Sequence, residues 1–208
     1  MRMWMAAGIA AVGLAVSACG THADSKAPAT SPAAQASPTP SVTPTAAWVR
    51  IADPSGVNFM FPSRTQPSVS TSGGNTTRTY LAKAGVDAVA SIVVIPTPVA
   101  LNVQNFFIRY PIQLKAQGFT SIKADAVTSI AVHGVKGFQT SVRYASPAAP
   151  GASGPSYVFE QRAAIQLPKY FVVISAVAGN GHALTSADIA QAKATAARLI
   201  AGFTTSSK

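Results

Sequence analysis

The sequence predicts an α+β fold, with an antiparallel sheet built from hairpins and covered by two main helices. Three observations carry that reading. Stretches of alternating or continuous apolar residues fall in adjacent pairs, the apolar residues from Val103 to Leu114 recur at helical spacing, and a second helical face runs from Ile189 to Phe203. Strands that follow one another in hairpins, with helices outside them, are the pattern of an antiparallel sheet with helical cover.

In chain order, Val57, Phe59 and Phe61 share one face of a short strand that Pro62 ends. Thr77 to Ala84 and Asp87 to Ile95 flank Gly85 and read as a hairpin. The second arm, Ala88 to Ile95, is apolar on both faces and is therefore expected inside the sheet. Pro96 and Pro98 stop it.

A helix follows. Val103, Phe106, Phe107, Tyr110 and Leu114 lie at helical spacing, Asn102 is placed to cap the start, and Gly118 marks the stop. Pro111 falls inside this pattern and is expected to kink or split it, because proline removes a backbone donor and crowds the preceding turn.

Val127 to Val132 and Phe138 to Tyr144 are strand candidates around Gly134 and Gly137. Tyr157 to Leu167 and Tyr170 to Ala178 form a second hairpin across Pro168-Lys169, and the Pro- and Gly-rich loop from Ala145 to Ser156 joins the two pairs. The last helix has a start signal in Thr185-Ser186-Ala187-Asp188. Its apolar face is Ile189, Ala192, Ala196, Leu199, Ile200 and Phe203, with Lys193 and Arg198 off that face.

The chain has 208 residues, 48% hydrophobic and 11% charged, which suits one ordinary globular domain and argues against disorder throughout. No stretch is long and apolar enough for a mature transmembrane helix, which takes roughly 20 residues. The single cysteine excludes an intrachain disulfide and a multi-cysteine zinc site.

Residues 1–18 divide as a secretion signal does. Arg2 precedes the apolar run Ala6 to Val16, and Ser17 and Ala18 precede Cys19. Val16-Ser17-Ala18-Cys19 resembles the bacterial lipobox, in which small residues admit the signal peptidase once the thiol carries a diacylglycerol. The resemblance implies that Cys19 is lipidated, with a diacylglycerol anchor and palmitate-type chains. The mature protein is then expected at the extracytoplasmic face of the cell membrane, anchored without spanning it.

Residues 19–47 continue from the lipidated Cys19 as a segment of mostly Ala, Ser, Thr and Pro, with Pro28, Pro32, Pro38, Pro40 and Pro44. Such a stretch buries too little apolar surface to offset its ordering entropy. It reads as a tether with a reach between roughly 30 Å as a coil and about 90 Å as polyproline II. Residues 48–208 are expected to form the single α+β domain.

The order of elements carries a further resemblance. A strand ending in Phe59-Met60-Phe61-Pro62, a hairpin, a helix, two hairpins and an alanine-rich helix closing on Ile200-Ala201-Gly202-Phe203 resemble the PsbP-like fold. That fold occurs in an extrinsic subunit of photosystem II and in actinobacterial surface lipoproteins of the LpqN type; the lipobox and tether are similar to the latter. The resemblance implies a noncatalytic binding or scaffolding module. It carries over no functional residues, and nothing in the chain suggests a photosynthetic partner.

The residues offer no enzyme constellation. His22 lies in the tether, and His133 and His182 read as turn or surface histidines. Asp53-Pro54-Ser55-Gly56 and Gly85-Val86-Asp87 read as turns, and Asp188 as a helix-start residue. Glu160 and Arg162 share one side of their strand and read as a solvated face. No catalytic residue, metal or cofactor is expected, nor is nucleic-acid binding in an exported chain.

Charge is the compositional signal with functional content: 16 Lys and Arg stand against 6 Asp and Glu, and the basic residues are scattered. Scatter favours diffuse attraction to anionic lipid headgroups or cell-wall polymer. The leading expectation is a lipid-anchored module that binds an envelope protein or anionic cell-wall polymer. Arg143 and Arg162 are expected on the contact surface, since alternation places each opposite its strand's apolar face. The competing reading is a carrier that holds an apolar or amphiphilic small molecule between sheet and helix, walled by Phe106, Phe107 and Tyr110. Core packing buries the same aromatics without a ligand.

Overall fold

The computed structural model describes residues 47–85, 88–97, 102–147, 154–179 and 183–205. The signal, the lipobox Val16-Ser17-Ala18-Cys19, the tether up to residue 46, His22, Asp87 and His182 lie outside the described residues.

The chain begins with β1 (Val49–Ala52), which pairs antiparallel with β2 (Val57–Phe61). Alternation buries Val57, Phe59 and Phe61 while Asn58 and Met60 stay half-buried, as expected. The hairpin of β3 (Ser68–Ser72) and β4 (Asn75–Lys83) leads to β5 (Ala88–Pro96). Next come α1 (Val103–Ala116), β6 (Thr120–Ala124), β7 (Thr128–Val132), β8 (Val135–Ser146), β9 (Ser156–Gln166) and β10 (Tyr170–Ala178). The chain closes with α2 (Ser186–Ala201) and β11 (Thr204–Thr205), which returns to pair with β2.

Two sheets result. One has the order β1-β2-β11; the other has the order β3-β4-β5-β10-β9-β8-β6, with β7 also paired to β8. The strand pairs are antiparallel, so the expected α+β architecture is the one observed. β5 lies inside the sheet between β4 and β10, in agreement with its apolar run.

The helices lie on opposite faces of the large sheet. Successive strand residues point to opposite sides, and the packing follows that parity. Leu199 of α2, Phe203 and the β2 phenylalanines pack with Ile92, Val94, Ile165, Val172 and Ile174. Val103 and Phe107 of α1 pack with Ala164, Phe171 and Val173 on the other side. Each fully buried aliphatic or phenylalanine side chain contributes about 1.5–3 kcal/mol relative to exposure. Both helices are thus held by their apolar stripes.

The caps agree with the sequence signals. The Asn102 side chain accepts the Asn105 N–H at 3.0 Å, and Thr185 and Asp188 bond reciprocally as a capping box. Pro111 does not split its helix: α1 runs through it, with Phe107 and Leu114 anchoring the turns on either side in buried positions. Phe203 belongs to the core as expected but lies past the end of α2.

Two turns show why glycine is required. His133 and Gly134, with φ of 47° and 80°, form the two-residue connection of the β7–β8 hairpin. Gly85 has φ of 135°, and a Cβ there would overlap the Gln191 amide nitrogen, which donates to Ala84 O at 3.1 Å. The turn after β4 is therefore tied to α2. Gly137, by contrast, stands within β8 rather than in a turn.

Candidate functional site

A buried cluster of charged and phenolic groups lies under α1. Glu160 and Arg162, two apart on β9, share the face that α1 covers, and Tyr110 reaches them from the helix. Arg162 Nε lies 2.9 Å from Glu160 Oε1, and the Tyr110 hydroxyl donates to Glu160 Oε2 at 2.6 Å. The Arg162 guanidinium stacks 3.8 Å over the Tyr110 ring, and its Nε is 3.4 Å from Ser175 Oγ on β10. Glu160 is only 2% exposed.

The electrostatics follow from burial. Desolvation, reinforced by the Glu160 charge, pushes the Tyr110 and Tyr144 hydroxyls far above the usual phenol range. Desolvation pulls Arg162 down, but Glu160 and the two tyrosines outweigh it, so its pKa rises on balance. At neutral pH the cluster is an ion pair flanked by two neutral phenols. It can lock α1 to the sheet, but it offers no proton poised for transfer.

This geometry corrects the reading of Glu160 and Arg162 as a solvated face. Strand alternation is preserved, but the second face of β9 is covered by α1, so both sides of the strand are interior. It also corrects the expectation that Arg143 and Arg162 share a contact surface. In the β8–β9 register Arg143 stands opposite Phe159, whereas Arg162 stands opposite Thr140, so the two arginines point to opposite faces of the sheet.

Arg143 is exposed on the α2 side, its guanidinium 5.8 Å from the Phe159 ring centre. Lys193 of α2 approaches the same ring at 5.8 Å, and Lys123 is the direct cross-strand partner of Arg143. Sequence reasoning singled out Arg143, but its cationic neighbours are Lys123 and Lys193.

The aromatics considered as a pocket wall are engaged elsewhere. Phe107 is buried, Phe106 packs edge-on against Phe107 and Phe171 at 5.3 and 5.0 Å, and the Tyr110 hydroxyl is held by Glu160. His133 is exposed in its hairpin turn, its Nε2 3.3 Å from Ala201 O. No group of His, Cys, Asp and Glu able to hold a metal occurs among the described residues.

A second polar site, missed in the sequence, lies where the small sheet meets the β3–β4 edge. Asp53 does form the expected turn, accepting the Ser55 N–H at 2.7 Å. It is also buried, and its Oδ2 accepts the Tyr80 hydroxyl at 2.7 Å. Beside it runs a groove of about 350 Å³ lined by Arg50, Arg64, Arg78, Tyr80, Gln66 and Pro54, among others. The three arginines come from β1, from the β2–β3 loop and from β4. Nothing in their spacing of 14 positions each signals convergence, which pairing alone brings about.

The described residues thus define a mostly antiparallel α+β domain with internally neutralised buried charges and cations on its outside. No family model matches the chain, and no curated protein matches it. Among solved structures, the chain is similar to the cyanobacterial PsbP protein CyanoP from Synechocystis, with 11% identity over 82% of this chain and 99% of that one, at a TM-score of 0.47. It is also similar to the Ran-binding protein Mog1p of Saccharomyces cerevisiae, with 13% identity over 76% and 95% and a TM-score of 0.43. A Pseudomonas aeruginosa protein of unknown function aligns at 10% identity over 77% and 99%, with a TM-score of 0.42.

Proposed function

We propose that the chain is an extracytoplasmic lipoprotein, anchored through Cys19, whose PsbP-like domain is a noncatalytic binding module for an anionic component of the cell envelope. One observation carries the binding part. Of the described carboxylates, Asp53, Glu160 and Asp188 are buried with internal partners, whereas every described Lys and Arg except Arg78 and Arg162 is exposed. Folding therefore removes negative charge from the surface and leaves nearly all the positive charge there. The resulting field attracts anionic polymer or lipid and weakens as salt shortens the screening length to about 8 Å at physiological ionic strength.

The lipobox and the Ala/Ser/Thr/Pro tether support the location, and the element order supports the likeness to actinobacterial LpqN-type lipoproteins. The noncatalytic assignment is supported by the buried carboxylates, which are held by hydrogen bonds and ion pairs rather than aimed at an open cleft. Sedimentation of the purified protein with isolated envelope over a salt series tests the reading. Release with rising salt is expected; retention undiminished in high salt overturns it.

A further inference from the structure

We propose that the groove between Arg50, Arg64 and Arg78 is a binding site for a phosphomonoester group carried on a small polar body. This rests on the reading above that the domain binds anionic envelope chemistry, and it names the group recognised.

The argument begins with charge. Arg50, Arg64 and Arg78 line the groove, with one carboxylate, Asp53, beside it, a surplus of two positive charges. A phosphomonoester carries about −1.5 to −2 at pH 7, whereas a carboxylate or phosphodiester would leave a cation unmatched. Guanidinium forks also fit phosphate oxygens bidentately.

Most of the guanidinium N–H donors are uncommitted. The Asp53 oxygens each accept one hydrogen bond from elsewhere, Oδ1 from the Ser55 N–H and Oδ2 from the Tyr80 hydroxyl, both at 2.7 Å. Arg78 Nη1 lies 3.8 Å from Asp53 Oδ1, which positions the guanidinium without using its hydrogen bonds. Arg50 spends one Nη2 contact on the neutral Thr204 hydroxyl at 3.2 Å. Arg64 has no hydrogen-bond or ion-pair partner among the described residues. Arg78 is also held on its β4 position with its side chain 22% exposed, so its charge is less screened than that of a freely solvated arginine.

The size agrees. About 350 Å³ lies in the range of small-molecule sites, roughly 300–1,000 Å³. Ile51, Ala52, Pro54 and Pro67 add apolar wall against which a sugar ring or glycerol could rest.

The test is calorimetric titration of the purified full chain in mild detergent at fixed ionic strength. The free probes are hexose 6-phosphate and inorganic phosphate, with unphosphorylated hexose as the control. Vesicles containing phosphatidic acid are compared with vesicles containing phosphatidylglycerol, which bears a diester. Saturable one-to-one binding of hexose phosphate or of phosphatidic acid is expected, and which of them binds distinguishes a soluble source from a lipid headgroup. Arg50→Gln and Arg64→Gln should each weaken it about tenfold or more, the loss of one charged hydrogen-bond set. Arg143→Gln, across the molecule, should leave it unchanged, with near-UV circular dichroism confirming that each variant is folded. Equal weakening by Arg143→Gln would overturn the groove and leave only diffuse attraction. Absence of saturable binding to every phosphomonoester probe would overturn the inference while salt-sensitive envelope binding could still stand.

Discussion

Arg162 Nε sits 2.9 Å from Glu160 Oε1, two positions away on the same strand, with both side chains enclosed between β9 and α1. The pair converts what reads as a polar strand face into an interior layer. Its energetics are asymmetric: two paired charges are tolerated in low dielectric, whereas one alone is not.

Removing one partner should therefore cost more than removing both. Glu160→Ala is expected to destabilise the domain by about 3–5 kcal/mol, because Arg162 is left buried and uncompensated. Glu160→Leu combined with Arg162→Met should recover most of that loss. Urea denaturation midpoints of the single and double variants provide the measurement; additive losses would contradict the pairing.

Alkaline pH should unfold the protein through its tyrosines. Tyr110 and Tyr144 have folded pKa values raised, chiefly by burial, above the ordinary 10.0. A raised folded pKa contributes stability that is complete below the unfolded value and is lost as pH rises through the folded one. Stability should fall above about pH 10. Absorbance at the tyrosinate band, followed together with circular dichroism, should show part of the tyrosine signal appearing only as the fold is lost.

The domain boundary can be tested by shortening. Trp48 packs against the main core, and the Arg198 guanidinium lies 4.3 Å over its ring. A chain beginning at Ala47 should fold without metal or reductant. One beginning at Pro54 loses β1 and these contacts, and should have a clearly lower melting temperature. Failure of the longer chain to give a near-UV circular dichroism signal would place the boundary elsewhere.

The proposed anchoring through Cys19 rests on one atom, its sulfur. Cys19→Ala should abolish incorporation of an acyl-chain probe and leave unprocessed precursor, because the modified thiol is what the lipoprotein peptidase recognises. Equal labelling of wild type and variant would remove the lipobox reading.

The strands at β2, β4, β5, β9 and β10 were legible because their side chains alternate or run continuously apolar between turn residues. Both helices were legible from their stripes and from the Asn102 and Thr185 caps. β3 was not, since Ser68–Ser72 is exposed throughout and carries no apolar alternation; it is a strand only because β4 lies beside it. β6 and the two-residue β11 escaped because their order is imposed by partners elsewhere along the chain, β8 and β2, and β1 because its four residues are too short a run to signal a strand before β2 pairs with it.

By itself, then, the sequence determined which residues are apolar, how they repeat, where turns and caps fall, and the excess of positive charge. These are local properties, readable over a few residues. Tertiary structure alone decided that α1 and α2 cover opposite faces of one sheet, that Glu160 and Arg162 are enclosed while Arg143 faces solvent, and that Arg50, Arg64 and Arg78 meet at one groove. Alternation assigns a side chain to one of two faces, but whether that face meets water, a helix or another strand depends on long-range pairing, which no local period encodes.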